Sequence, residues 1–519
     1  FQIGGTALHM YERPITTKTN FNEEPLLNTI IGADLAYSSK SRFLTKLIDK
    51  LPFLETKEVS NITAYAEFAQ IIPHNHKSQG GQRGVSNLED FEAAELQNDF
   101  KVVSNWTVAS IPQKQPELFP ETQSVDKRSW LNKHAKLSYY TIDQLFYRDA
   151  DMPSNIQTRV DEILSNPYMR QVDQREVFPE RNFPQGTPTI LPTLDLAFDP
   201  HVRGMYNYNT DPTEIDATGK LINPNNSWAG IMRRVDQNDF EAANIDYVEI
   251  WLMDPLMDNP NLKGELLFHL GNVSEDILPD RRKAFENGLP TTAGNGSELD
   301  TSQFGFISTS PQINFAFDNN PTARDLQDVG LDGMNDEEEI DFFDTAYLQK
   351  IESNFGNTSP LYLAASQDPS NDNFVHYLEN QYTQQDADII ERYSRYQGMQ
   401  GNSSTATFTG QYADMPKSST TQPDYEDINR DFTMNQSEDY YQYRIKIGAS
   451  DLQIGQNYVA DIASNTITLR NGQQKEIKWY QLKIPIREFE KAVGNISDFK
   501  SIRFMRMIMT GFNDPAVLR

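Results

Sequence analysis

The chain has 519 residues, and 46 Lys and Arg against 74 Asp and Glu give a net charge of −28, which repels phosphates and argues against nucleic acid as a partner. It contains no cysteine, which excludes disulfide frameworks, thiolate metal sites and cysteine nucleophiles. At roughly 150 residues per domain the length predicts three or four units, and no window holds the roughly 18 uninterrupted apolar residues of a membrane helix, a test that membrane β-strands escape.

The opening Phe1-Gln-Ile-Gly-Gly has neither an initiator Met nor an apolar signal region, and reads as an internal piece of a longer protein. Between Thr29 and Ser38 the positions Ile31, Ala33, Leu35 and Tyr37 alternate with Gly32, Asp34 and Ser38, a period of two. A second such run covers Asn61 to Ile71, with Ile62, Ala64, Ala66 and Phe68 on one face. Both suit a tilted membrane strand, while the pattern alone favours a half-buried strand of a soluble sheet. Phe43, Leu44, Leu47 and Ile48 between them predict a short amphipathic helix or a continued strand.

Beyond Leu88, strands are predicted at 101–111, 228–233, 247–253 and 264–270, separated by long polar connections as in a jelly roll with decorated loops. Residues 125–170 have helical texture, and prolines cluster between Pro179 and Pro200 in what reads as an irregular segment. Polar stretches at 366–373 and 397–423 read as mobile connections. Further strands are predicted at 439–447, 478–486 and 502–510, with a short helix at 487–493; the last strand is apolar on both faces, as in the middle of a sandwich.

The loop from Asp328 to Glu339 carries the oxygen donors of a twelve-position calcium loop: Asp328 at 1, Asp332 at 5, the Met334 carbonyl at 7, Asp336 at 9 and Glu339 at 12. Gly333 at position 6 permits the turn, while Gly330 occupies position 3, where Asp or Asn ordinarily ligates. The loop reads either as a structural calcium site or as a solvated acidic loop. His74-Asn-His76 puts two imidazoles in reach of one metal but reads as a solvent loop, the pair Asp90 and Glu92 could serve glycoside hydrolysis but is of a kind that chance supplies in so acidic a chain, and His269 reads as a satisfied residue on its strand. Trp106, Trp228, Trp251 and Trp479 would suit either a carbohydrate groove or the core. No nucleophile elbow, phosphate-binding loop or zinc-protease helix is present, and no enzyme activity is expected.

Several blocks carry a family resemblance: Leu270-Gly-Asn-Val-Ser-Glu-Asp-Ile-Leu-Pro-Asp280, Phe285-Glu-Asn-Gly-Leu-Pro290, Asp318 to Arg324, Gln327 to Gly333 and Pro423-Asp-Tyr-Glu-Asp-Ile-Asn-Arg-Asp431. With Ser41 to Lys46, Asp49 to Phe53 and Leu88 to Ala94, they resemble the SprA/Sov family, the giant outer-membrane translocon of the Bacteroidetes type IX secretion system and of gliding motility. The chain departs from the family wording at Leu88, and at Arg281, where Gly is common.

The short Val-, Ile-, Thr- and Tyr-rich runs bounded by Asn, Asp, Gly and Pro predict a mainly β fold, to which the resemblance adds a very large outer-membrane β-barrel. Two or so barrel strands with their connection would fill 1–72, followed by a large extracellular insertion. That insertion would comprise a jelly-roll-like domain over 73–290, an acidic calcium-loop region with polar linkers over 291–430, and a second β-sandwich portion over 431–519. It implies export of folded cargo and gliding adhesins through the outer membrane. The implied partners are the rest of the barrel, a PorV-type shuttle, a periplasmic plug and the cargo. A calcium-stabilised glycan-binding β-sandwich at the cell surface is the competing reading.

Overall fold

In the computed structural model of the chain, the described residues are 1–11, 27–48, 50, 58–73, 99–179, 183–184, 186–294, 296–320, 323–396, 408–415 and 422–519. The fold is mainly β, 31% strand against 19% helix, distributed over several small sheets; among the described residues none closes into a barrel. The chain divides into two compact units, Phe1–Gln97 with Phe178–Thr187, and Asn98–Val177 with Pro188–Arg519.

The first unit carries strands β1 (Gln2–Tyr11), β2 (Leu27–Ser41) and β3 (Ser60–Pro73), an antiparallel sheet in the order β1-β2-β3. Ile31 pairs with Ala7 on one side and Gln70 on the other, so the alternation read for β2 and β3 is in register across all three strands. The glycines of Gly4-Gly5 weaken the strand signal of β1, which the alternation alone does not pick out. After β2 the chain turns into the helix Arg42–Ile48. The Leu44 N–H donates to Ser41 Oγ at 3.3 Å, and Thr45 Oγ1 accepts the Ser60 N–H at 2.9 Å, fastening the helix to the start of β3.

The second unit adds β4 (Thr107–Val108), β5 (Ala135–Tyr140), β6 (Val172–Asp173), β7 (Ile190–Leu191), β8 (Asp195–Arg203), β9 (Trp228–Arg234), β10 (Tyr247–Met253), β11 (Gly264–Asn272), β12 (Leu299–Thr301), β13 (Phe306–Ser308), β14 (Asp439–Ile447), β15 (Val459–Thr468), β16 (Gln474–Pro485), β17 (Lys491–Val493), β18 (Phe504–Thr510) and β19 (Ala516–Leu518). Six of them form the principal sheet, β17-β14-β11-β18-β9-β4, with smaller sheets β10-β16-β15 and β19-β8-β5 and the pairs β12-β13 and β6-β7. A single buried apolar cluster draws on all three larger sheets, through Leu267, Ile445 and Ile508, Leu482 and Ile484, and Phe198 and Leu518. As its two-faced apolarity requires, β18 is an interior strand, flanked by β11 and β9. A second cluster is aromatic: Tyr140 stacks on Tyr393 with centroids 4.2 Å apart, beside Phe146 and Tyr377.

Four expectations change. Of 101–111, only Thr107–Val108 pairs, because the chain coils into a single turn at Val103–Asn105 and then lies buried at the sheet edge. The helical spacing read through 125–170 includes Leu137, which is on β5; short helices appear only at Ser154–Thr158 and Val160–Ile163, with single turns at Arg128–Leu131 and Gln144–Tyr147. The proline segment contains β8: its pairing with β5 jumps from Asp199 to Arg203, and Pro200 falls in that bulge, where its missing N–H costs no ladder bond. The expected helix at 487–493 is instead a turn leading to the edge strand β17.

Candidate cation site and the buried carboxylates

The acidic run after Met334 begins a helix. Asn335 Oδ1 accepts the N–H groups of Glu337 and Glu338, and the Glu338 side chain accepts the Asn335 N–H in return. This capping box starts the helix Asp336–Phe343, and four carboxylates in its first turn sit where the helix dipole favours negative charge. Gly333, at φ +69°, makes the sharp turn before it; a Cβ there would meet the Phe306 carbonyl at 2.5 Å.

The twelve-position loop does not close on one point. Asp328 accepts a hydrogen bond from Arg324 Nε at 2.7 Å, and the Met334 side chain fills the core while its N–H donates to Asp332 Oδ1. Asp332, Asp336 and Glu339 do converge, joined by Asp368 and Asp372 from the segment read as a mobile connection. That segment is packed: Asp368, Ser370 and Asp372 are all buried. One oxygen from each of Asp332, Glu339 and Asp372 lies within 4.8 Å of the others, and the same holds for Asp336, Glu339 and Asp368. Asp372 was missed because short polar stretches look like linkers when the partner that buries them is distant in sequence.

Elsewhere the buried carboxylates serve the backbone. Glu275 Oε1 accepts the N–H of Ile428 at 2.7 Å and of Asn429 at 3.1 Å, and its Oε2 accepts that of Asn435 at 2.8 Å. Glu426 reaches the opposite way, accepting from Leu278 and from Ala284, each at 2.9 Å. Glu286 takes the N–H groups of Val329, Gly330 and Asp424. The blocks around 270–290 and 423–435 are therefore clamped together by each other's glutamates, in loops that have no sheet ladder to satisfy their amides. Burial pushes Glu275 up to about 7, against the backbone N–H groups that pull it down. Arg281, in the first block, has φ +64°, the left-handed region that favours glycine.

His269 is fully buried between β14 and β18: its Nδ1 accepts from Arg506 Nε at 3.0 Å, and its other ring nitrogen lies 3.0 Å from Gln442 Oε1. Burial, followed by the Arg506 charge, holds its pKa well below the ordinary value, so the ring is neutral. Trp106, Trp228 and Trp479 are buried in the core, and Trp251 is half-buried with Nε1 donating to Glu249; they line no shared groove. His74, His76, Asp90 and Glu92 lie outside the described residues.

No curated protein matches the chain significantly. Residues 346–519 match the family model SprA_N, described as motility related/secretion protein. The match takes in Asp368 and Asp372, the 423–431 block with Glu426, and β14 to β19. Over residues 346–519 the chain is similar to that family of motility related/secretion proteins.

Proposed function

We propose that the chain is a segment of an outer-membrane protein translocon, in which β1 to β3 contribute strands to the wall of a protein-conducting barrel. The larger unit is a non-catalytic structure on the extracellular side that frames or caps the passage for folded cargo and gliding adhesins. The remaining barrel strands, a shuttle protein at the opening and a periplasmic plug are its partners.

One observation carries this reading: the two faces of the β1-β2-β3 sheet differ, and the apolar one is bare. Cross-strand pairing puts Ile3, Ala7, Ile31, Ala33, Leu35, Tyr37, Ile62, Ala64, Ala66 and Phe68 on one face, together with His9, Thr29, Ser39 and Gln70. Ile3 is 65% exposed and Phe68 57%. The other face mixes Gln2, Thr6, Asp34, Ser38, Thr63 and Glu67 with Leu8, Met10, Ile30, Tyr65 and Ile71. A soluble sheet buries its apolar face; a barrel wall turns it to lipid and keeps the mixed face toward the lumen. At 15 and 14 residues, β2 and β3 exceed the roughly 9 to 11 that a tilted membrane strand needs.

Because the chain has no cysteine, single cysteines introduced into the full-length protein in its outer membrane report each face directly. Cysteine at Asp34, Ala36 or Ser38 is expected to react with a membrane-impermeant maleimide, and cysteine at Ala33, Leu35 or Tyr37 to be protected. Equal reactivity at all six positions, or release of the protein by alkaline carbonate, overturns the proposal.

A further inference from the structure

The carboxylate cluster goes beyond the translocon reading and does not depend on it. We propose that Asp332, Glu339 and Asp372 hold a structural calcium ion, with Asp336 and Asp368 flanking it on the side of Glu339.

All three residues are buried, and among the described residues no Lys or Arg forms an ion pair with any of them. The nearby cations bind other groups than these three carboxylates. Arg203 donates to the backbone carbonyls of Asn207, Asp368 and Pro369, and Arg395 reaches Asp368 Oδ2 at 3.2 Å. Each carboxylate has its outer oxygen occupied: Ser370 Oγ donates to Asp332 Oδ2 at 2.5 Å, the Ser370 N–H to Glu339 Oε2 at 2.9 Å, and Tyr206 Oη to Asp372 Oδ2 at 3.0 Å. Glu339 Oε1 and Asp372 Oδ1 remain buried with no hydrogen-bond partner. Two buried, unpartnered carboxylate oxygens within reach of a third carboxylate form an arrangement that repulsion would disperse unless a positive charge sat among them.

The donors are all hard oxygen, which selects against zinc and copper. Calcium takes mono- and bidentate carboxylates at flexible geometry, whereas magnesium demands near-ideal octahedral geometry and keeps several waters. Gly330 belongs to the same construction: at φ +86°, its Cβ would meet Asp372 Oδ2 at 2.1 Å, so only glycine lets Asp372 reach the cluster. The ion would join the loop before the helix Asp336–Phe343 to the segment Asp368–Asp372, tying residues ahead of 346 to the family-matched region.

The test uses the whole chain. Calcium at a hundredfold excess over its Kd should raise the melting temperature by about 3 °C over the chelated protein, and EGTA should reverse the rise. Terbium should bind in its place and luminesce on tyrosine excitation, with Tyr206 at the site, and calcium should displace it at lower concentration than magnesium. Glu339→Gln and Asp372→Asn should abolish both responses, and Glu337→Gln, on the exposed side of the same acidic run, should keep them. Should those variants fail to fold, equilibrium dialysis of the unaltered chain with calcium decides the question. No bound calcium, or identical melting with calcium and with EGTA, overturns the proposal and leaves shared protons as what holds the cluster together.

Discussion

Arg506 on β18 and Glu438, the residue before β14, are 0% and 1% exposed, and they meet as a two-pronged pair: Nη1 to Oε1 and Nη2 to Oε2, both at 2.9 Å. Glu438 also accepts the Ser274 N–H at 2.9 Å, in the block that carries the family resemblance, and Arg506 reaches His269 and Ser110. Glu438→Gln turns one acceptor oxygen into a donor and leaves the guanidinium buried without its counter-charge. Removing one member of a buried pair costs about 3–5 kcal/mol. His269 and Ser110 still accept from Arg506, which places the expected value near the lower end. For a cooperative unit of about 400 residues the unfolding entropy is roughly 0.9 kcal/mol per degree, so the melting temperature should fall by about 3–6 °C. Calorimetry on Glu438→Gln, Arg506→Met and the double variant measures the coupling. Because the double variant removes the orphaned charge, it should be more stable than the sum of the singles by at least about 1 kcal/mol. A Glu438→Gln cost below about 0.5 kcal/mol, or strict additivity, would refute the reasoning that this pair locks β14, β18 and the 270–280 loop together.

Arg281→Gly should raise stability by up to about 1 kcal/mol in urea unfolding: a left-handed backbone costs a non-glycine residue about 1–2 kcal/mol, of which glycine's extra unfolded-state freedom takes back about half; a loss of stability would show that the Arg281 side chain contributes more than its backbone strain costs. Glu275 titrates near 7 in the folded chain against 4.5 for the free group, so the folded state keeps a proton that the unfolded chain has released. That contribution to stability is fully present below about 4.5 and is lost as pH rises through about 7, at most about 3 kcal/mol. Glu275→Gln cannot titrate, so its stability should change less between pH 5 and 8 than that of the unaltered chain; parallel profiles would contradict the assignment.

Strands whose side chains alternate, or are apolar on both faces, were legible from the sequence with near-exact bounds: β10, β11, β14 and β18 lie where the pattern puts them. Helical texture misled at Leu137, because apolar residues three or four positions apart also arise where buried single turns lead into and out of a strand, here β5. The calcium-loop spacing located Asp332, Asp336 and Glu339, which the fold brings together, and Asp328, which it sends to Arg324 instead. A local template assumes that all ligands are sequential neighbours, and it has no means of including Asp368 and Asp372.

By itself the sequence determined the mainly β class, the two-residue period of β2 and β3, and the family resemblance, because each is written in local order or in short contiguous words. Only the tertiary structure decided what the signature glutamates do and which carboxylates form a cluster. Glu275 and Glu426 each accept backbone N–H groups more than 140 residues away, and Asp372 joins Asp332 across 40 residues of chain. Burial turns an acidic residue from a solvated charge into a clamp or a ligand, and burial is a property of which distant segments pack over it.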